Sequence, residues 1–202
     1  MTKKLFILGG GGHCLSCLDI ISSEQHLVVS GIIEREGYHN SLLKNIPVFP
    51  EHKLNTLVNE NHLFFLAIGK IGFCTLREQK FKLMKSFDIS LETIIAKTSY
   101  VSSSSKIMEG VTIMHQCFVN ANAVIGKNTI INTQSLIEHE SIIGNHCHVS
   151  TGVKINGGVK IGDSTFIGSG CVIYEGVNIG KNVSISAGSI VKRDLPSKTF
   201  YS

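Results

Sequence analysis

From Val101 through Ile107, Ile113 and Val119 to Ile185 and Val191, an aliphatic side chain returns at every sixth position without a miss. Four residues after each one from Val101 to Ile185 stands a small or β-branched one, as at Cys117, Ala123, Thr129, Ser135, Ser141 and Cys147. An α-helix repeats every ~3.6 residues and cannot keep a six-residue period on one face. An antiparallel sandwich would space its turns irregularly, about 8 to 12 residues apart. One large and one small inward position in every six residues describes a parallel β-helix of short strands and corners. Three such hexads, roughly eighteen residues, close one coil, and successive coils stack at about 4.8 Å. Gly and Asn fall between the inward positions, as in IGKNTI and IGKNVS, where the chain must turn sharply.

The first half has no such period. KKLFILGGGGH is an apolar strand running into a glycine turn, and HCLSCLDIISS has helical spacing. LVVSGIIE reads as a second strand ending at Glu34, and HLFFLAIG as a third ending at Gly69. IGFCTLREQKFKLMKSF again alternates charged and apolar residues at helical spacing. Strand, glycine turn, helix and strand in this order predict a small α/β, Rossmann-like unit with a parallel sheet. The polar AKTSYVSSSS divides it from the hexads, so two domains are expected, 1–95 and 96–202.

Composition removes several classes of function. At 202 residues and 43% hydrophobic the chain is a folded globular one. Its net charge is only +4, with no dense Lys/Arg block interleaved with aromatics, which argues against nucleic acid as a partner. No apolar run approaches the roughly 18 to 20 residues of a membrane span. The apolar core of MTKKLFILGGGG is just Leu5 to Leu8 and no small-residue cleavage site follows, so it does not read as an export signal. The six cysteines are therefore expected to be reduced, Cys14 and Cys17 to be small helix residues, and the protein to be cytoplasmic.

Two places carry chemistry. Gly9 to Gly12 and His13 follow a strand and open a helix, where backbone amides gather at the positive helix end and can hold an anion. The full G-x-G-x-x-G fingerprint is missing, which disfavours a hydride-transfer cofactor but not a phosphate or mononucleotide. Glu34, at the end of the second strand, is placed to bond a ribose or sugar hydroxyl. The other place is IEHESI. His139 is third in its hexad and so faces outward at a corner, with Ala121 one coil before it and Gly157 one coil after. Small neighbours would leave a notch for reactants, and the Gly157-Gly158 backbone would offer an N–H to a developing oxyanion. Glu138 or Glu140 would hold one ring nitrogen and leave the other to act as a general base. The pattern does not separate the two. His148 lies in the next hexad and would border the same cleft. His146-Cys147-His148 is a poor metal site because Cys147 faces inward while its neighbours do not, so no metal is expected.

Taken together, the GGGGH start, the hexads and NTQSLIEHE (Asn132 to Glu140) resemble the bacterial NeuD/PglD-type sugar acyltransferases over nearly the whole chain. That resemblance implies a Rossmann-like domain followed by a left-handed parallel β-helix. It also implies transfer of an acetyl group from acetyl-CoA to the amine of a nucleotide-linked 4-amino-4,6-dideoxy sugar. The alternative acceptor is a hydroxyl of a sialic-acid-like sugar. By the same resemblance His139 is the general base and Glu140 the carboxylate that supports it. Gly11, Gly12 and His13 meet the nucleotide-sugar phosphates, and Glu34, Arg35 and Gly69 belong to the nucleotide pocket. Asn132 and His148 line the active site, His148 on the acetyl-CoA side, and Gly157 donates to the thioester carbonyl. A homotrimer with active sites between subunits is implied as well. Relatives usually finish with a G-x-P-A-type segment, whereas this chain stops at KTFYS, so part of the CoA environment is expected to be missing.

Overall fold

A computed structural model describes residues 3–24, 26–38 and 40–202. The chain divides into two compact units, one of Met1–Gly69 with Gln79–Glu92 and one of Lys70–Glu78 with Thr93–Ser202. In the first, β1 (Lys3–Leu8), α1 (Gly12–Ser22), β2 (Leu27–Glu34), β3 (Val48–Pro50), α2 (Leu54–Leu57) and β4 (His62–Leu66) succeed one another. α3 (Leu76–Ser86) packs here from Gln79 onward. The four strands form one parallel sheet in the order β3-β2-β1-β4. Phe6, Leu8, Ile33, Phe64 and Leu66 of the strands meet Phe81 and Met84 of α3 in one apolar core. The third strand stops at Leu66 rather than Gly69, and α3 begins only at Leu76. β3 and the helical turns around it have no counterpart in the sequence reading, because three-residue strands carry no usable period.

The second unit is a left-handed parallel β-helix whose two-residue strands lie in three sheets of seven, six and five strands. Strands pair with those eighteen residues on, as Leu136↔Lys154 and Ile137↔Ile155, until the last coil, where Ser184 pairs with Phe200. The first-position aliphatics from Ile113 to Val191 are all buried, each worth about 1.5–3 kcal/mol against exposure. Fifth positions are buried too, although several are polar. The structure shows why these are tolerated. Thr129 Oγ1 donates to Gly144 O (2.8 Å), Ser135 Oγ to Ser150 O (2.8 Å) and Ser141 Oγ to Asn156 O (2.9 Å). Cys147 Sγ does the same to Gly162 O at 3.3 Å. These groups satisfy one another down the inside of the helix, as buried polar groups must. Burial pushes the Cys147 thiol up to about 12, so it is an inert donor and not a nucleophile.

Residues 70–78 run along the β-helix as a strap. The Arg77 guanidinium, 1% exposed, donates from Nε to Asn128 O (3.1 Å) and from Nη2 to Gly110 O (3.4 Å), carbonyls one coil apart. Ser164 Oγ donates to Glu78 Oε2 at 2.8 Å, and Lys70 Nζ to Cys74 O at 3.0 Å. Asn128 Nδ2 also meets His146 Nδ1 at 2.8 Å, which ties the otherwise unassigned His146 to this fastening. Among the described residues no helix is long and apolar enough to cross a membrane. Arg77→Met is expected to lower stability by about 2–4 kcal/mol, since it leaves buried carbonyls without their charged donor. Chemical denaturation followed by circular dichroism measures this; a loss under about 0.5 kcal/mol, the range of an ordinary surface change, would show that the strap is not fastened through Arg77.

Candidate active site

Leu136–Ile137 is a rung of the six-stranded sheet, with Ile137 buried and Leu136 outward. The chain then turns a corner over Glu138, His139 and Glu140. Glu140 takes the left-handed conformation with φ of 59°. Its N–H donates back to Ala121 O at 3.0 Å, while Gly158 N–H donates to His139 O at 2.9 Å. The corner is thus held by the coil before and the coil after. The His139 side chain, 53% exposed, stands out of this fixed backbone.

A Cβ at Gly157 would come within 2.5 Å of Cε1 and 2.7 Å of Nε2 of His139. The imidazole therefore lies over residue 157 and fills the space a side chain would take. The notch expected between small neighbours is used to seat the ring itself. Gly158 N–H is committed to His139 O, whereas Gly157 N–H has no partner among the described residues. The two glutamates also separate. His139 Nδ1 lies 3.4 Å from Glu140 Oε2, and Glu138 Oε2 instead accepts from Asn120 Nδ2 at 2.6 Å. With Glu140 on Nδ1, the basic lone pair is left to Nε2, on the side of the unpartnered Gly157 amide.

His148, expected on the cofactor side, is held within the fold. It is 7% exposed, with Nδ1 2.5 Å from Lys70 O and Nε2 3.2 Å from Asn132 Nδ2. Asn132 Oδ1 accepts from Thr133 N–H, so its amide nitrogen is the donor to Nε2 and His148 carries its proton on Nδ1. Burial pushes the imidazole down to about 4, and the charges of Arg77 and Lys70 add to this against the Lys70 carbonyl. Both ring nitrogens are occupied within the fold, which leaves neither for a thioester. No hydrogen bond joins His148 to His139.

The glycine turn gathers a second group of residues in the α/β unit. Gly11 is the N-cap of α1, with no side-chain cap and no acidic residue in the first turn. A Cβ at Gly11 or Gly12 would meet nothing within 4 Å, so their backbone faces open space. His13 lies beside Gly69, where an added Cβ would be 3.7 Å from the His13 Cβ, and its Nε2 is 3.6 Å from Cys17 Sγ. Burial first, then the charge of Glu34, pushes the Cys14 thiol up to about 12. Glu34, expected to bond a ribose or sugar hydroxyl, also has a task within the turn. Its Oε1 accepts from Gly10 N–H and its Oε2 from Arg35 N–H, both at 3.0 Å, so it braces the turn. Arg35 is exposed. Tyr38 and Asn40, which no pattern in the sequence marks, complete the brace. The Tyr38 hydroxyl donates to Gly10 O, and Asn40 Nδ2 donates to the same carbonyl at 3.1 Å. Among the described residues no group of three His, Cys, Asp or Glu side chains is arranged to hold a metal.

An exposed histidine backed by a carboxylate, on the corner of a hexapeptide β-helix that carries an α/β domain, defines an acyltransferase of the hexapeptide class. The PglD N-terminal domain family matches residues 4–84, and the bacterial transferase hexapeptide family matches residues 158–193. The chain thus joins a PglD N-terminal domain to the repeats of a hexapeptide transferase. A solved structure of GDP-perosamine N-acetyltransferase from Caulobacter crescentus, a histidine-to-alanine mutant with CoA and GDP-perosamine, is 29% identical. It matches with a TM-score of 0.89 over 98% of this chain and 92% of that one. The acetyltransferase domain of PglB from Neisseria gonorrhoeae (22% identity, TM-score 0.89, 98% and 96% covered) shares the fold. So does WeeI from Acinetobacter baumannii (20%, 0.85, 98% and 96%). A comparison with curated proteins finds no significant match.

The His148 environment has a consequence for pH. Its folded pKa of about 4 lies below the ordinary 6.5, so the unfolded chain binds the proton more readily. The stability tied to neutral His148 is fully present above pH ~6.5 and is lost as pH falls toward ~4, on the order of 3 kcal/mol in all. His148→Asn should flatten this part of a stability-against-pH curve. Parallel curves for the two proteins would contradict a neutral buried His148.

Proposed function

We propose that this protein transfers an acetyl group from acetyl-CoA to the amine of a nucleotide-activated 4-amino-4,6-dideoxy sugar. The observation that carries the reading is the corner at 139. An outward imidazole has Glu140 beside Nδ1 and its Nε2 over a glycine whose N–H is unpartnered. That is the equipment for removing a proton from an attacking amine next to a donor for the oxyanion. Support for the acceptor and donor comes from the relative at 29% identity, described as a GDP-perosamine N-acetyltransferase in complex with CoA and GDP-perosamine.

The amine nitrogen attacks the thioester carbonyl carbon, and the C–N bond forms as His139 Nε2 takes the nitrogen's proton. The carbonyl electrons pass to oxygen, which the Gly157 N–H stabilises. Collapse breaks the C–S bond, and the departing sulfur receives the proton from His139. No acyl-enzyme intervenes, because an amine is itself a competent nucleophile. Gly11, Gly12 and His13 at the start of α1 hold the sugar nucleotide's phosphates, with Gly69 beside them and Arg35 toward the nucleoside. Asn132 lines the acceptor site, and His148 supports it from behind. Free thiols and a nucleotide-linked substrate suit the cytoplasm. We infer a homotrimer with shared active sites. One outer face of the β-helix carries Tyr100 stacked on Phe118, 55% and 41% exposed, with Ile190, 51% exposed, further along the same sheet, apolar surface that a neighbouring copy would cover.

Turnover of acetyl-CoA over UDP- and GDP-linked amino sugars, with sialic acids as hydroxyl acceptors, tests this. An amino sugar should be the acceptor. His139→Ala should lose about 10²–10⁴-fold in kcat. Gly157→Ala should also fall steeply, because its Cβ displaces the ring. Full activity of His139→Ala would sink the assignment, and acetylation of sialic acid alone would replace it with O-transfer. Sedimentation should give three copies for wild type and His139→Ala alike; a monomeric wild type would remove the trimer.

A further inference from the structure

An acceptor amine arrives largely as an ammonium, and something must recognise that charge before a proton is lost. We propose that Glu138 binds the acceptor's ammonium and so sets the preference for an amine over a hydroxyl. This rests on the N-acetyltransferase reading. Glu138 precedes His139 on the same corner and is half-buried, and its backbone N–H is tied to Ile155 O at 2.9 Å. Its carboxylate is aimed by one neutral group. Asn120 Oδ1 accepts from Ala121 N–H at 2.7 Å, which fixes the amide so that Nδ2 donates to Glu138 Oε2 at 2.6 Å.

The contrast with the other two carboxylates is informative. Glu34 spends both oxygens on backbone N–H groups and is structural. Glu140 lies against His139 Nδ1. Glu138 meets no cation among the described residues and keeps Oε1 without a partner. A pre-aimed carboxylate of this kind forms a strong charge-assisted bond to an ammonium and loses little freedom in doing so. The residues one coil either side, Asn120 and Asn156, are neutral, so no charge adjoins Glu138 along its column. A neutral hydroxyl in place of the amine gains nothing from that charge.

The protons balance. The bound ammonium gives one proton to water, and the free amine gives a second to His139 as C–N forms. That proton leaves with the thiol of CoA, so the reaction releases one proton overall and Glu138 remains a carboxylate throughout.

Glu138→Gln tests the assignment, because the isosteric amide keeps the bond from Asn120 and removes only the charge. The KM for the amino sugar should rise about tenfold or more, with the KM for acetyl-CoA within about twofold. The inhibition constant of the matching nucleotide sugar with a hydroxyl in place of the amine should not change. An unchanged KM for the amine would overturn the role, as would equal weakening of amine and hydroxyl compounds. Wild-type enzyme that acetylates only hydroxyls would overturn it together with the N-acetyl reading. Amine turnover with an indifferent Glu138→Gln would overturn it alone.

Discussion

The N–H ladder between coils is the constraint on which the rest of the β-helix depends. Leu136 N donates to Val153 O and Glu138 N to Ile155 O, each at 2.9 Å, and the same step recurs along the axis. Because the coils before the last are equal in length, this joins each position there to the one eighteen residues on. A side chain therefore has neighbours fixed by arithmetic. His139 inherits Ala121 and Gly157 in this way, and Glu138 inherits Asn120 and Asn156. A single inserted residue would shift every later column and dismantle the corner at 139.

The same stacking explains what the interior accepts. A coil of two-residue strands is too narrow to hold large side chains at each inward place, so alternate positions are small. Hydroxyls and thiols serve there because each finds a carbonyl fifteen residues ahead, as Thr165 Oγ1 finds Gly180 O at 3.1 Å. The corners impose a second rule. The fourth place of every hexad from Gly110 to Gly188 adopts positive φ, at Asn122, Asn128, Glu140 and Gly158 alike. Asn and Gly suit that conformation, whereas a glutamate sits there at a cost of roughly 1 kcal/mol. Glu140 is thus held where its backbone alone would favour another residue, and its carboxylate lies 3.4 Å from His139 Nδ1.

Much of this was legible beforehand because it is periodic. The hexads announced the β-helix, its core and the outward corner at His139, and adding eighteen led from His139 to Gly157. What the period could not show was direction within a corner. It left Glu138 and Glu140 equivalent, and only the bond from Asn120 to Glu138 divides them. Contacts that cross from one kind of structure to another were hidden altogether. Arg77 reaches Asn128 and Glu78 meets Ser164 over long, irregular separations that leave no trace in a repeat. The covering of His148 was hidden for this reason, since its register is outward but the strap at Lys70 covers it. The bracing role of Glu34 was hidden similarly, as a strand-end carboxylate looks the same with or without a bond to the Gly10 amide.

Positive φ does not by itself mark a functional corner, for Gln116, Gln134 and His146 share it without any catalytic arrangement. Nor does an outward histidine, since His146 is fastened to Asn128. What sets the corner at 138–140 apart is the combination of three departures from what the coil alone requires. An imidazole lies over a glycine that the corner geometry does not demand, because Gly157 has ordinary negative φ, unlike Gly158 beside it. A carboxylate next to the ring occupies a strained place. Another is aimed outward by an amide with no cation to meet. Each departure is mildly unfavourable or indifferent for folding, and natural chains keep such departures where chemistry uses them. Their convergence on one turn is a physical reason, independent of any relative, to place the reaction there.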